Sequence, residues 1–155
     1  MFRLTKALAL AAVAASGLVI TNLTPALAAN TTVEFRVKNT DPIESMKLAA
    51  TPPSTISGYL PVGTLIGAAG YDPSASGHIT FSAPLPTSSV SAPMKYESST
   101  GASACTFTVQ VSHVTGGYQL AFLSDAPSRC LVPSASPISS TGDFSATVYE
   151  LDWHS

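Results

Sequence analysis

The stretch Cys105-Thr106-Phe107-Thr108-Val109-Gln110-Val111-Ser112, answered by Gly116-Gly117-Tyr118-Gln119-Leu120-Ala121-Phe122-Leu123, decides the fold class. Cys105, Phe107, Val109 and Val111 alternate with Thr106, Thr108, Gln110 and Ser112, the period of two that marks a strand with one buried face. Tyr118, Leu120 and Phe122 repeat the pattern on the return, and Gly116-Gly117 suits a two-residue turn with positive φ at both positions. With those glycines as the turn, Val111 faces Phe122 and Cys105 falls opposite Ser128, two residues short of Cys130. A slight irregularity then brings the sulfurs within bonding range. The sequence therefore predicts one β-hairpin clasped by a Cys105–Cys130 disulfide.

Working outward, the chain opens with Arg3 and Lys6, an apolar run from Ala7 to Ile20, and a segment ending in Ala26-Leu27-Ala28. That order of charged, apolar and small residues is a secretory signal peptide, expected to be cleaved after Ala28. The apolar run is shorter than the roughly 20 residues that a permanent membrane span requires. The expected mature chain, 29–155, is a single domain with five basic and nine acidic residues, a net charge of −4 with histidines neutral. Its cations, Arg36, Lys38, Lys47, Lys95 and Arg129, are scattered, so no basic footprint marks a nucleic acid or an anionic membrane as partner. Two cysteines in an exported chain pair with each other in an oxidising compartment. Closing a loop of this length stabilises the fold by roughly 3.5 kcal/mol on chain entropy alone.

Along the mature chain, Val33, Phe35 and Val37 alternate with Glu34, Arg36 and Lys38 in an amphipathic strand that Asn39-Thr40-Asp41-Pro42 ends with turn chemistry. Met46 and Leu48 share one face of a short element. The glycines at 58, 63, 67 and 70 mark turns around one or two short strands; no Lys-Ser or Lys-Thr follows them, so they are no phosphate loop. His78 to Ser82 is a strand. The serine-rich piece from Thr87 to Ala92, bracketed by Pro84, Pro86 and Pro93, is expected at an edge or outside the sheet, with a further strand from Met94 to Ser98. In the last strand, Phe144 to Leu151, alternation groups Phe144 with Ala146 and Val148, and Tyr149 with Leu151; apolar residues on both faces predict a central, packed strand. About seven short strands without a helical period give an all-β fold, an antiparallel β-sandwich of immunoglobulin-like or jelly-roll character. It is not an immunoglobulin domain proper, because Trp153 follows both cysteines instead of lying between them.

Catalytic signatures are weak. Gly101-Ala102-Ser103-Ala104-Cys105 approaches a nucleophile elbow, but Cys105 stands where the second glycine belongs and a strand follows where a helix is needed. His78, His113 and His154 have no mutual ligand spacing, so no metal and no cofactor are expected. Asp41 with Glu44, and Glu150 with Asp152, lie at turns or strand ends where solvated charge is ordinary. Trp153 shares a strand face with Tyr149 and Leu151, which favours a cap on the core; a solvent-facing Trp153 beside His154 would instead be a stacking platform for a sugar or a partner. The candidate binding residues are His113, Val114 and Thr115 at the stiff hairpin tip, with Trp153 and His154 at the C-terminal tail.

The expectation is a secreted or periplasmic, non-enzymatic binding or cell-surface structural module. Its partner would be a protein or a glycan, with no nucleic acid and no stable membrane anchor. Two alternatives stand beside it. One is a small secreted enzyme or metal-binding domain with a dispersed site such as His78, His113 and Asp125. The other is an inhibitor that presents Val114–Gly117 or Thr87–Ala92.

Overall fold

A computed structural model describes residues 29–155. The signal-peptide expectation for 1–28 lies outside the described residues. Ten strands follow in order: β1 (Asn30–Asn39), β2 (Met46–Leu48), β3 (Ile56–Ser57), β4 (Ile79–Pro84), β5 (Ser89–Ser98), β6 (Ala104–Val114), β7 (Gly117–Ser124), β8 (Cys130–Leu131), β9 (Ile138–Ser139) and β10 (Asp143–Trp153). There is no helix among the described residues. The strands form two five-stranded, sandwich-like sheets, ordered β3-β4-β1-β10-β8 and β2-β5-β6-β7-β9. The expected count of about seven is corrected to ten, because a strand of two residues carries no alternation to read. The outermost strands, β3, β8, β2 and β9, have only two or three residues, so β5 and β10 are themselves edges beyond Tyr96–Ser98 and Asp152–Trp153.

The hairpin forms, in a different register. Val114 pairs with Gly117, His113 with Tyr118, Val111 with Leu120 and Val109 with Phe122, so the two-residue turn is Thr115-Gly116. Gly116 supplies the left-handed residue (φ +94°). Gly117 also has a positive φ (+145°), as expected for both glycines, and a Cβ there would in addition collide with the Ser139 carbonyl of β9. Beyond Ser124 the ladder ends, where the Asp125 carboxylate accepts the Thr106 N–H at 2.7 Å. The chain then crosses to the other sheet for β8 before β9 returns to pair with β7.

The disulfide is therefore not a clasp within the hairpin. Cys105 lies on β6, whereas Cys130 lies on β8 in the opposite sheet, and the bond between them rivets the sheets together across a Cα separation of 6.1 Å. The sequence register, two residues out at the turn, also assumed that 125–130 stays in the plane of the hairpin. Both cysteines are buried, and Cys130 pairs directly with Trp153 of β10.

The last strand holds a second correction. Residue Val33 pairs with Phe144, but its neighbour Glu34 pairs with Val148, so Ser145, Ala146 and Thr147 are surplus. This three-residue bulge reverses the alternation: Phe144, Leu151 and Trp153 point into the core, while Ala146 and Val148 are exposed. β10 is central in sheet order, as expected, and runs parallel to β1. β8, however, covers only Asp152 and Trp153 on its other side. Deleting Ser145–Thr147 would leave Phe144 and Val148 consecutive opposite Val33 and Glu34, with every other pairing intact. We expect that variant to fold and to self-associate through the flat edge so created, as size-exclusion chromatography with light scattering would read; a monomer would show that the bulge does not protect the edge.

The serine-rich segment is likewise a strand and not a connection. Residues 89–98 run as one strand between β2 and β6, including Pro93 opposite Thr108. β2 reaches only Tyr96–Ser98, so at Pro93 β5 is itself an edge, where a missing N–H leaves no ladder partner unsatisfied. Between the sheets, Phe35, Phe81, Tyr96, Phe107, Leu151 and Trp153 form part of one shared core.

Candidate functional site

The most unusual surface lies at the disulfide end of the sandwich and is organised by Asn39, the last residue of β1. This side chain is fully buried and makes three bonds: Nδ2 donates to the Glu44 carbonyl (2.8 Å) and the Ile66 carbonyl (3.1 Å), and Oδ1 accepts the Asp41 N–H (2.9 Å). Its backbone N–H donates to Gly70 at 2.9 Å. One residue thus holds loop 40–45 against loop 66–70. Asp41 completes the frame, accepting the N–H groups of Ile43 (2.7 Å) and Glu44 (2.6 Å) on Oδ1 and both the N–H and hydroxyl of Ser155 on Oδ2. These bonds, the Ser155 hydroxyl first, hold its carboxyl well below the usual aspartate range. Ile66 exchanges backbone bonds with Met46 (2.9 and 2.8 Å), and Gly63 donates to the Leu48 carbonyl (3.0 Å).

What this frame presents is apolar. Ile43 is 89% exposed, Leu65 59% and Val62 45%. Every residue of 61–65 and 67–69 is exposed, and no charged residue lies between Lys47 and Asp72 in the chain. The loop tip is held in a demanding conformation: Gly70 donates to the Gly67 carbonyl (2.9 Å), and Ala69 adopts a left-handed φ of +57°.

Behind the loops runs a polar link between the sheets. Asp72 is fully buried beside β1, where its N–H donates to Val37 at 2.8 Å. Its carboxylate accepts the Tyr96 hydroxyl from β5 and the Leu60 N–H, the latter at 2.5 Å. Burial pushes the Asp72 carboxyl above its ordinary value of 3.8, against the pull of those two hydrogen bonds. A carboxyl whose pKa is raised on folding binds its proton more tightly in the folded state. Its contribution to stability is therefore fully present below 3.8 and falls as the pH rises through the folded value. Asp41 acts in the opposite sense: its contribution is present above the ordinary aspartate value and lost as the pH falls below it. In Asp72→Asn the amide oxygen can still accept from Leu60 and the amide N–H₂ can donate to the Tyr96 oxygen. We expect urea-denaturation series to show that Asp72→Asn folds and loses the decline above pH 3.8, whereas Tyr96→Phe leaves a buried carboxylate short of a donor and costs about 1–3 kcal/mol. An unchanged pH profile in Asp72→Asn would count against this assignment.

The outer face of the β1 sheet carries a mixed cluster. Tyr71 lies 5.9 Å from the Arg36 guanidinium and 5.6 Å from the Lys38 ammonium, measured to its ring centre, and its hydroxyl donates to Glu150 at 3.3 Å. Burial, then Glu150, push the neighbouring Asp152 carboxyl upward, while Lys38 and His154 pull it down. Tyr71, Lys38 and Glu150 engage one another, whereas Asp152 Oδ1 is buried without a hydrogen-bond partner among the described residues.

The candidate residues read from sequence do not converge. His113 and Thr115 are exposed and Val114 half-buried at the hairpin tip, where the His113 ring meets Tyr118 edge-on at 5.4 Å. Trp153 is fully buried and pairs with Cys130 in the ladder, a placement that suits a cap on the core. His154 is half-buried and donates its N–H to the Arg129 carbonyl at 2.9 Å. The eight residue steps along β6 from Cys105 to His113 put the tip and the disulfide end about 27 Å apart. The dispersed alternative site separates as well: His78 contacts Glu34, His113 contacts Tyr118, and Asp125 caps Thr106. Among the described residues, no group of three or more His, Cys, Asp or Glu side chains is placed to hold a metal. Sequence reading took the Asn39–Pro42 turn and the glycine-rich loops as plain connections. The available signal was the long charge-free run ending at Tyr71, apolar yet without strand or helix period. Comparison with protein-family models, curated proteins and solved structures finds no match for this chain.

Proposed function

We propose that the chain is an extracytoplasmic, non-catalytic binding module, secreted or periplasmic, that works through the loop end framed by Asn39 and Asp41. The observation that carries this reading is Ile43, an isoleucine left 89% exposed on a loop whose backbone is held by a buried amide and carboxylate. Apolar surface displayed on a rigid frame favours contact with an apolar partner. The inter-sheet disulfide fits an oxidising compartment and stiffens the end from which the loops project. The same proposal takes the sandwich as immunoglobulin-like or jelly-roll in character. Expression of the whole chain in an exporting host tests the reading: a recovered protein that begins at Ala29 and contains the oxidised pair supports it. A chain retained in the cytosol from Met1 overturns the localisation, and turnover on an ester, glycan and peptide panel overturns the non-catalytic assignment.

A further inference from the structure

We propose that this loop end inserts Ile43, Val62 and Leu65 reversibly into a zwitterionic lipid surface. The inference rests on the loop end being the working surface and goes on to name its partner. Four observations select lipid over another protein.

The first is charge. The run between Lys47 and Asp72 carries none, Lys47 itself is engaged by Glu97 at 3.4 Å, and Asp41 is turned inward onto Ile43, Glu44 and Ser155. Val62 and Leu65 therefore insert without a charged neighbour in sequence, whereas Ile43 inserts beside Glu44, whose half-buried carboxylate must keep its hydration at headgroup level. The second is shape: 61–65 and 67–69 are exposed throughout, and no pocket lies among the described residues to receive a partner side chain. A soft apolar medium needs no such pocket. The third is size. Three aliphatic side chains contribute on the order of 300 Å², well below the roughly 800 Å² per partner of a stable protein interface. The fourth is stiffness. Asn39, the Met46–Ile66 pair, the Gly63–Leu48 bond and the Gly67–Gly70 turn hold the loops in place, so little conformational freedom remains to be lost on insertion.

The choice of headgroup follows from the surrounding charge. Glu44 adjoins Ile43, and the described chain is net acidic at −4, so anionic lipid is disfavoured and no basic cluster supplies attraction. Binding is then apolar and insensitive to salt. It is also weak and reversible, since three partly inserted side chains are no anchor.

Flotation of the disulfide-bonded protein with phosphatidylcholine vesicles tests this, at low and at high salt, beside the double variant Ile43→Ser/Leu65→Ser. The expected result is co-flotation of the parent at both salt concentrations, weaker association with vesicles containing phosphatidylserine, and at least about a tenfold loss in the double variant. Both positions are solvent-exposed, so the melting temperature of the variant should match the parent. Failure of the parent to float, binding lost at high salt, or binding retained by the double variant overturns the proposal. Sedimentation that shows a dimer abolished by the same substitutions also overturns it, assigning the surface to a second copy. In that last case the binding-module reading survives, so the two failures are distinguishable.

Discussion

Replacing Trp153 by alanine is expected to destabilise the protein by about 3–5 kcal/mol, the range for deleting a large aromatic from a packed core. Trp153 is the largest fully buried side chain and sits at the meeting point of three strands, paired with Asn39 of β1 on one side and Cys130 of β8 on the other. The loss is a packing loss, because the backbone contacts of the residue do not depend on the indole: its carbonyl accepts the Thr40 N–H at 2.8 Å and hydroxyl at 3.0 Å in any variant that keeps the chain in place. The indole Nε1 has no hydrogen-bond partner among the described residues. Trp153→Phe should therefore cost distinctly less than Trp153→Ala, since it removes an unpartnered donor while keeping most of the volume. Equilibrium unfolding in urea checks both. A loss below about 1 kcal/mol in the alanine variant would contradict the core role, as would tryptophan fluorescence of a water-exposed indole in the parent.

Removing the disulfide, as Cys105→Ala/Cys130→Ala, is expected to lower stability by about 2–4 kcal/mol, with roughly 3.5 kcal/mol from the entropy of closing the loop between positions 105 and 130. Location decides how the loss is distributed. β8 is two residues long and pairs only with Asp152 and Trp153, so without the rivet to Cys105 little else holds this edge to the core. We expect amide exchange of Cys130, Leu131 and Trp153 to accelerate more than that of the β6–β7 hairpin, with Trp153 emission moving toward that of a hydrated indole. A clasp within the hairpin would produce the reverse, loosening β7 while leaving Trp153 unaffected. Because Cys105 is 2% and Cys130 0% exposed, a reductant should act slowly on the folded protein and quickly after unfolding.

The site was harder to read from sequence than the fold. His113 and Thr115 were found where exposure was expected, but exposure at a hairpin tip follows from turn geometry and is no mark of use. The loop end around Asn39 depends on hydrogen bonds from one amide to carbonyls at positions 44 and 66, and no local pattern announces such a convergence. Asp72 likewise lies in Tyr71-Asp72-Pro73-Ser74, whose local chemistry is that of an ordinary turn. Its burial against Tyr96 appears only when the two sheets close on each other.

The amino-acid sequence by itself determined the all-β class, the inward sets Val33-Phe35-Val37 and Phe107-Val109-Val111, the approximate hairpin and the partnership of the two cysteines. Each of these follows from a local rule: a period of two, a glycine turn, or two thiols with no other partner. The tertiary structure alone decided that Cys130 crosses to the other sheet, that β10 carries three surplus residues, and that the segment from Ser89 is a strand. These depend on which chain lies alongside which. A strand's side-chain alternation records its own two faces and is silent about its neighbours, whereas a bulge in β10 is defined only by its pairing to β1.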